Sequence, residues 1–337
     1  MGKKVKKQNI WVNVLLSLIV FIVFCGLLEL SARLYAHYKY GSHNRGMYWK
    51  FKYEPFLMFN EDWGDPSFDK IYPPKGDKFR VIILGGSTAK RIPNELVREE
   101  LKKVIEREVE VINMARHGYI VNQERIAFLL YGIKLDPDLL ITINGSNDIV
   151  MMTKSLQPGM PYENQFIDLA VNHPAWNFFF GIVRHSQFAN SLLKLKERKV
   201  EKEIQKDIQL REQTIKIYVE GLQSISIIAQ GLDIPHILVL QPYIHLRKSL
   251  TEREKSLNEI KHYEYRKKFM TEMYTSIDSA LTTIPFTIKT IYVNGTKAFN
   301  SVNDECFTDE VHLTEKGNQL LVQYIFSSAF NYLKEKN

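Results

Sequence analysis

The sequence predicts an α/β domain, with helices on both faces of a parallel sheet, that follows a single N-terminal transmembrane helix. Short runs rich in Val, Ile and Leu alternate with longer helical patterns from Phe79 onwards. Such alternation is typical of parallel strands that are buried on both faces. The apolar stretch from Ile10 to Leu28 would be about 28 Å long as a helix, close to the thickness of the hydrocarbon core of a bilayer. These two patterns divide the chain into an anchor and a globular part.

The composition fits a globular protein and excludes wholesale disorder. The 337 residues are 45% hydrophobic and 25% charged, the usual balance for a folded chain. The net charge of +7 comes largely from lysine-rich segments, which favour an anionic membrane surface or an acidic polymer. The sequence has neither zinc-finger spacing nor an RNA-binding aromatic motif, so nucleic acid is not expected as a partner.

The two cysteines are not expected to form an intramolecular disulfide. Cys25 lies in the apolar stretch and Cys306 in the globular part, so they would be on different sides of a membrane interface. Cys306 is interpreted as an ordinary loop thiol rather than a nucleophile.

Residues 10–30 are interpreted as a membrane anchor behind a basic tail, residues 1–9. Four lysines precede the apolar run, at Lys3, Lys4, Lys6 and Lys7. Positive residues tend to remain cytoplasmic, so we expect a single-pass membrane protein with its N-terminus in the cytoplasm and its globular domain outside. Three basic residues after the span weaken that asymmetry, namely Arg33, Lys39 and Arg45.

Three other interpretations of this stretch fit less well. A cleaved signal peptide needs small residues before the cut, and the segment before Glu29 offers few. A lipid-modified Cys25 would follow a small residue, whereas Phe24 is bulky. A buried core helix would not require the leading lysines.

After an aromatic-rich lead-in at 31–77, the catalytic domain is predicted over 78–335, with an insertion at about 151–211. The lead-in is interpreted as an ordered but irregular segment that packs on the domain or lines a substrate cleft. Five apolar runs are predicted as strands, at 79–84, 109–113, 138–143, 236–240 and 289–293. Helices are predicted at 93–107, 122–133, 212–230, 256–282 and 314–334. The insertion ends in a densely charged helix from Leu192 to Arg211, interpreted as a solvated surface rather than a polyanion site.

Ser87 is the candidate nucleophile. It follows the first apolar strand and Gly85-Gly86, and it precedes a predicted helix. The glycines permit a tight turn, and the amides at a helix start favour negative charge nearby. The alternative is a structural turn or a phosphate loop, but neither of the glycine-rich phosphate patterns is present.

Asp309 and His312 are the candidate orienting acid and base. They stand three residues apart, between the last strand and the final helix. Cleavage of an ester by a serine needs a base that takes the hydroxyl proton and returns it to the leaving group. A carboxylate beside the imidazole can fix its tautomer. Asp304 and Glu305 are nearby alternatives for that orienting role.

Gly118 and Asn147 are the candidate oxyanion donors, together with the amide of Ser87. Each of the two follows a predicted strand, where a backbone N–H or a side-chain amide can point into a site at the carboxyl edge. Alone, each is more often a turn residue. Their appearance after successive strands, between Ser87 and His312, argues against coincidence.

Together these residues resemble the SGNH hydrolase superfamily, the GDSL-type esterases and lipases, in its membrane-anchored bacterial form. Four segments carry the resemblance, namely Gly85-Gly86-Ser87-Thr88, Asn113 to Gly118, Gly145-Ser146-Asn147-Asp148 and Asp309 to His312. It extends over roughly 78–335 and includes Val239-Leu240-Gln241-Pro242 and the residues from His312 to Gly317. Gly86 departs from the family pattern, which often has Asp at that position.

The resemblance implies a three-layer α/β/α fold like that of flavodoxin, with a five-stranded parallel sheet. It also implies ester hydrolysis without metal or cofactor, through an acyl-enzyme at Ser87. In that reaction His312 would act as base and then as acid, and Asp309 would orient it. The oxyanion donors would be Gly118, Asn147 and the Ser87 amide. Removal of O-acyl groups, such as acetyl, from an extracytoplasmic carbohydrate is the leading expectation. The alternatives are O-acyl transfer to a sugar and a non-catalytic envelope assembly protein.

The remaining polar residues around these segments are given no catalytic role. Lys90 and Arg91 are interpreted as surface residues at a helix start, and His117 as a solvated loop histidine. For Tyr243, a position that faces the cleft and a position away from it are equally compatible with the sequence. Two histidines, His236 and His245, flank a strand without an identifiable partner.

Overall fold

A computed structural model describes residues 10–40, 51–61, 72–155, 157–161, 172, 186–189, 191, 203–258 and 264–336. The chain forms two compact units. The first comprises residues 1–49 and 166–200, and the second comprises residues 50–165 and 201–337.

The first unit contains the N-terminal helix α1, Ile10–Tyr40, of 31 residues. Its segment Trp11–Tyr35 is long and apolar enough to cross a membrane, although a signal sequence has the same character. The helix continues ten residues beyond the predicted anchor at 10–30, and the apolar span within it continues to Tyr35. Glu29 accepts hydrogen bonds from Ser186 Oγ at 2.7 Å and from the backbone N–H of Gln187 at 2.9 Å. The insertion therefore contacts this helix.

The second unit begins with a short antiparallel hairpin. Strands β1, Phe51–Glu54, and β2, Met58–Glu61, pair within the lead-in. The sequence does not predict them, because four-residue strands on either side of a turn leave almost no periodic pattern. Leu57 and Phe59 are buried, so this part of the lead-in packs on the domain. The lead-in residues 41–50 and 62–71 lie outside the described residues.

The centre of the second unit is a five-stranded sheet in which every pairing is parallel. Its strands are β3 Phe79–Gly85, β4 Val109–Asn113, β5 Leu139–Asn144, β6 His236–Leu240 and β7 Thr290–Asn294. The spatial order β4-β3-β5-β6-β7 is that of flavodoxin-like folds. All five predicted strands are confirmed to within one residue at each end.

Helices cover both faces of this sheet. They are α2 Ser87–Lys90, α3 Asn94–Leu101, α4 Val121–Ala127, α5 Ser146–Ser155, α6 Ile208–Gly231, α7 Glu252–Asn258, α8 Glu264–Thr283 and α9 Glu315–Lys336. Alternate residues of each strand face opposite layers. Ile82 and Leu84 pack under α4, α5, α6 and α8, whereas Val81 and Ile83 pack under α3 and α9. The predicted three-layer α/β/α fold is confirmed.

Several predicted helix boundaries differ from the structure. The helix predicted at 93–107 ends at Leu101, and the one predicted at 122–133 changes to a π-helical turn at Phe128–Gly132. The helix predicted at 256–282 corresponds to α7 and α8, whose connecting residues 259–263 lie outside the described residues. Most of the charged helix predicted from Leu192 to Arg211 is also outside them, and α6 begins only after Asp207, whose carboxylate accepts the Leu210 N–H at 3.0 Å.

Candidate active site

Ser87 lies where the first central strand turns into a helix. β3 ends at Gly85 and Ser87 is the first residue of α2. Gly86 between them is extended, with φ −85° and ψ −157°. A Cβ on Gly86 would lie 2.2 Å from Asn147 Nδ2, far inside a van der Waals contact. The glycine therefore allows the Asn147 amide to lie beside the start of α2.

His312 reaches Ser87 from the other end of the chain. Its Nε2 lies 2.7 Å from Ser87 Oγ across a separation of 225 residues. Its Nδ1 lies 2.6 Å from Asp309 Oδ2. Because an ionised carboxylate only accepts, Nδ1 carries the proton, and Nε2 of the neutral ring is free to accept from the serine hydroxyl. The structure therefore brings these three predicted side chains together within hydrogen-bond distance.

The segment 309–312, called the histidine loop below, is shaped by Asp309. Its Oδ1 accepts the backbone N–H groups of Val311 at 2.9 Å and His312 at 2.8 Å, so one oxygen folds the loop while the other faces the imidazole. Burial acts to raise the pKa of Asp309, but the hydrogen bonds from the His312 side chain and from these two N–H groups outweigh it and lower the pKa below its usual value. The carboxylate stays ionised at neutral pH.

The alternative acids have other partners. Glu305 forms an ion pair with Arg253 at 2.7 Å. Asp304 contributes its backbone carbonyl to Arg247 Nη2 at 2.8 Å. Among the described acids near the imidazole, Asp309 is the one whose carboxylate contacts it.

Asn147 and Gly118, the two candidate oxyanion donors from outside the first motif, are linked through Tyr119. Asn147 Nδ2 donates to the carbonyl of Tyr119 at 2.8 Å, and Gly118 is the residue before that carbonyl, with φ +78°, a conformation that favours glycine. An amide nitrogen carries two hydrogens, so the bond to Tyr119 fixes the amide plane and leaves a second N–H for a ligand. The structure thus places the Asn147 amide beside the start of α2, with Gly118 one residue before the carbonyl that this amide contacts.

A buried acidic cluster lies behind this turn. Asp148 Oδ1 accepts the Val121 N–H at 3.0 Å, and Glu124 Oε2 accepts from Asn144 Nδ2 at 2.7 Å. Burial raises the pKa of Asp148 to about 7. Burial, and next the charge of Asp148, raise the pKa of Glu124 well above its usual value. These bonds hold the residues on both sides of Asn147 in place.

Two buried residues connect the site in a way that the motifs do not reveal. Thr88 Oγ1 donates to the carbonyl of Val311 at 3.2 Å, and Gln241 Nε2 donates to Thr88 Oγ1 at 3.2 Å. Thr88 belongs to the first motif and Gln241 follows β6 at the same sheet edge, so their positions were visible in the sequence. Their bonds were not, because neither a threonine hydroxyl nor a glutamine amide indicates its partner, and the Val311 acceptor is a backbone carbonyl.

Cys306 and His236, which lie outside the triad, have buried environments that fit structural roles. Cys306 is fully buried, and burial raises the pKa of its thiol to about 11, which does not suit a nucleophile. His236 lies between the hydroxyls of Thr142 and Ser226, 3.0 Å from each, and burial lowers its pKa to about 3. It is a neutral core histidine.

The other polar residues near the site are placed as follows. Arg91 is exposed, while Lys90 and His117 are half-buried. Tyr243 is buried and stacks on Tyr274 with 5.1 Å between ring centroids. His245 Nε2 lies 3.7 Å from Glu310 Oε1. Among the described residues, no group of three or more His, Cys, Asp or Glu side chains could hold a metal ion.

Comparison with known proteins finds likeness only among solved structures. No protein-family model and no curated protein matches the chain. A GDSL-like lipase from Bacteroides thetaiotaomicron is 13% identical, with 77% of this chain and 91% of that one covered and a TM-score of 0.42. An acetylxylan esterase from Geobacillus stearothermophilus is 14% identical, with coverages of 75% and 93% and a TM-score of 0.41. A further acetyl xylan esterase is 15% identical, with coverages of 74% and 98% and a TM-score of 0.40.

The first of these three is named as a GDSL-like lipase, the type of protein that the four sequence motifs resemble. At such identities and TM-scores, their names carry nothing about the activity of this chain, which has to be judged from its own side chains.

Proposed function

We propose that this chain is a membrane-anchored serine ester hydrolase that works through an acyl-enzyme at Ser87. The observation that carries the proposal is the continuous line from Ser87 Oγ through the His312 ring to Asp309, with separations of 2.7 and 2.6 Å. A serine hydroxyl held in this way by an imidazole and a carboxylate is the arrangement of an activated nucleophile.

In the first half of the reaction, His312 Nε2 takes the proton of Ser87 as Oγ bonds to the ester carbonyl carbon. The ring then carries a positive charge, which the ionised Asp309 stabilises. His312 passes the same proton to the leaving alcohol oxygen as the carbon–oxygen bond breaks. The product of this half is an acyl group on Ser87 and a free alcohol.

In the second half, water replaces the alcohol. His312 accepts a proton from the water as the water oxygen attacks the acyl carbon, and it returns that proton to Ser87 Oγ when the acyl bond breaks. The carboxylic acid leaves and the enzyme regains its starting state.

The negative oxygen of each tetrahedral intermediate needs donors that are already in place. We assign this role to the free N–H of Asn147 and to the backbone N–H groups of Ser87 and Gly118. The bond from Asn147 to the Tyr119 carbonyl supports the assignment, because it orients the amide before substrate arrives. Loss of one such donor can reduce the rate by about a hundredfold to a thousandfold.

The substrate class we propose is an O-acylated, especially O-acetylated, carbohydrate on the extracytoplasmic side. The apolar helix Trp11–Tyr35 preceded by a lysine-rich tail supports an inside N-terminus and an outside domain. The choice of carbohydrate depends on that location and on the family resemblance, and is therefore a narrower proposal than ester hydrolysis.

A related function uses the same residues. If a sugar hydroxyl rather than water attacks the acyl-enzyme, the protein is an O-acyltransferase. Ser87 is half-buried, which is compatible with an acceptor reaching it. Adding an acceptor oligosaccharide then yields acylated product in place of free acid.

The decisive test uses the full chain purified in detergent. A fluorophosphonate should label the native protein, fail to label Ser87→Ala and label His312→Ala at a strongly reduced rate. Mass spectrometry of acetylated oligosaccharides should show loss of acetyl groups with the native protein and none with Ser87→Ala. Absence of labelling together with no ester turnover across a substrate panel would instead favour a non-catalytic envelope assembly protein.

A further inference from the structure

Two neighbouring contacts join α2, the helix that begins at Ser87, to the histidine loop. Ser87 contacts His312, and Thr88, the next residue, contacts Val311, the residue before His312. In this second contact Thr88 Oγ1 donates to the Val311 carbonyl at 3.2 Å. Thr88 is 2% exposed, so water does not compete for its hydroxyl.

Gln241 fixes the direction of this bond. Its Nε2 donates to Thr88 Oγ1 at 3.2 Å, which occupies a lone pair and leaves the single hydroxyl hydrogen for Val311. Gln241 is itself held, because its backbone N–H donates to the Asn144 carbonyl at 2.9 Å at the ends of β5 and β6. The chain of bonds therefore runs from the rigid sheet, through Gln241 and Thr88, to the histidine loop.

The two contacts differ during the reaction. The bond between Ser87 and His312 is consumed when the proton moves to the ring, and in the acyl-enzyme Ser87 Oγ has no hydrogen left to donate. Thr88 and the Val311 carbonyl take no part in bond making, so their contact persists through every step. The histidine loop is also held on its far side, where the Ile244 N–H donates to the Glu310 carbonyl at 3.0 Å.

We infer that Thr88 and Gln241 are positioning residues that keep His312 Nε2 within reach of Ser87 Oγ while the serine is acylated. The inference depends on the proposed function, since it concerns the same triad. A displacement of about 1 Å at reacting atoms can cost about a hundredfold in rate. The competing explanation is that Thr88 only satisfies a buried carbonyl, in which case its loss lowers stability and not turnover per folded molecule.

The first test compares Thr88→Val with Thr88→Ser in the full chain in detergent, with p-nitrophenyl acetate as the probe. Valine keeps the shape of threonine and loses the hydroxyl, while serine keeps the hydroxyl. We expect Thr88→Val to lower kcat about 10-fold to 100-fold with KM changed less than about twofold, and Thr88→Ser to stay within about threefold of native. Rates are expressed per folded molecule, measured by circular dichroism.

The second test uses Gln241→Met, which fills similar volume without donating. Thr88 then keeps its partner but loses the bond that directs its hydroxyl, so we expect a smaller fall in kcat, about threefold to tenfold. If the two residues act as one chain, the double variant Thr88→Val/Gln241→Met is no slower than Thr88→Val alone, because coupled residues are not additive. The single variant Gln241→Met also provides a measurement if Thr88→Val does not fold.

The possible results distinguish failure of the proposed function from failure of the positioning role. A native protein whose turnover does not depend on Ser87 overturns the proposed function, and this inference with it. Native, Ser87-dependent turnover with equal kcat in Thr88→Val and Thr88→Ser overturns the positioning role alone. So does a loss of activity that only tracks the unfolded fraction, or fully additive effects in the double variant.

Discussion

Gly86 and Asn147 are so closely apposed that a Cβ on residue 86 would lie 2.2 Å from Asn147 Nδ2. The absence of a side chain at residue 86 has a steric consequence in this chain. The missing side chain leaves room for the amide that we propose as an oxyanion donor. In this position the amide donates to the Tyr119 carbonyl at 2.8 Å.

The first prediction concerns Gly86→Ala. The added methyl group should push the Asn147 amide out of position, and kcat/KM for an ester should fall by about a hundredfold to a thousandfold, as for loss of an oxyanion donor. Gly231→Ala is the matched control, because a Cβ on Gly231 meets nothing within 4 Å. A Gly86→Ala protein with native kcat/KM would remove Asn147 from the mechanism.

The second prediction concerns the charge of Asp309. Asp309→Asn keeps the shape of the side chain but removes the ionised carboxylate that faces His312 Nδ1. The imidazolium then loses its stabilising charge, and the neutral ring is no longer held in the tautomer with the proton on Nδ1. We expect kcat to fall by about a hundredfold or more. Because the hydrogen bonds to Asp309 hold its pKa below the usual value, the native carboxylate is ionised at pH 8, where kcat of the two proteins is compared.

Glu305→Gln serves as the control for Asp309→Asn. Its carboxylate pairs with Arg253 rather than with the imidazole, and it should retain activity within about twofold, since partly exposed ion pairs contribute little. A larger effect at Glu305 than at Asp309 would exchange the roles of the two acids.

The third prediction concerns Asp148 and the pH dependence of stability. Its pKa is about 7 when folded, against 3.8 as the unperturbed value, so between these values the folded chain binds more protons than the unfolded chain. Stability from this group is therefore full below about pH 4 and is lost as the pH rises through 7. The free energy involved reaches a few kcal/mol, since one pKa unit corresponds to about 1.4 kcal/mol.

Asp148→Asn tests this sign directly. The asparagine oxygen can still accept the Val121 N–H, but it does not titrate. Urea unfolding at pH 5 and pH 8 should show the native protein losing stability relative to Asp148→Asn as the pH rises. A difference between the two proteins that does not change with pH, or that changes in the opposite direction, contradicts the raised pKa.

The fourth prediction concerns a buried ion pair that supports the segment before the histidine loop. Arg247 and Glu254 side chains are 1% and 0% exposed. Glu254 Oε1 also accepts the N–H groups of Cys306 at 2.8 Å and Phe307 at 3.1 Å. Glu254→Ala leaves Arg247 buried without its carboxylate, and we expect a loss of about 3–5 kcal/mol in unfolding free energy.

Glu252→Ala is the control for Glu254→Ala. The Glu252 side chain is 90% exposed and pairs with Lys255 one turn along α7, so its loss should cost less than about 0.5 kcal/mol. Urea midpoints for the two variants decide the matter. Equal midpoints would mean that the buried pair does not stabilise this region.

The strands and the meeting of Ser87 with His312 could be predicted because both follow from local patterns. Five buried apolar runs specify a parallel sheet, and the carboxyl ends of its strands share one edge. The contact from Thr88 to Val311 could not be predicted in the same way, because its acceptor is a backbone carbonyl, which every residue carries and which therefore leaves no signal in the sequence. The π-helical turn at Phe128–Gly132 escaped for another reason, because apolar spacing distinguishes poorly between helix types.

The hairpin formed by β1 and β2 has a practical consequence for anyone who wants the protein without its membrane helix. Tyr119 Oη donates to the Phe59 carbonyl at 2.8 Å, and Gln123 Nε2 donates to that of Leu57 at 2.6 Å. A protein that starts at residue 78, where the strand pattern begins, would lack both acceptor carbonyls. It would also lack Phe59, which lies against Gly118. A protein without the membrane helix should instead start near Lys50, where the second compact unit begins.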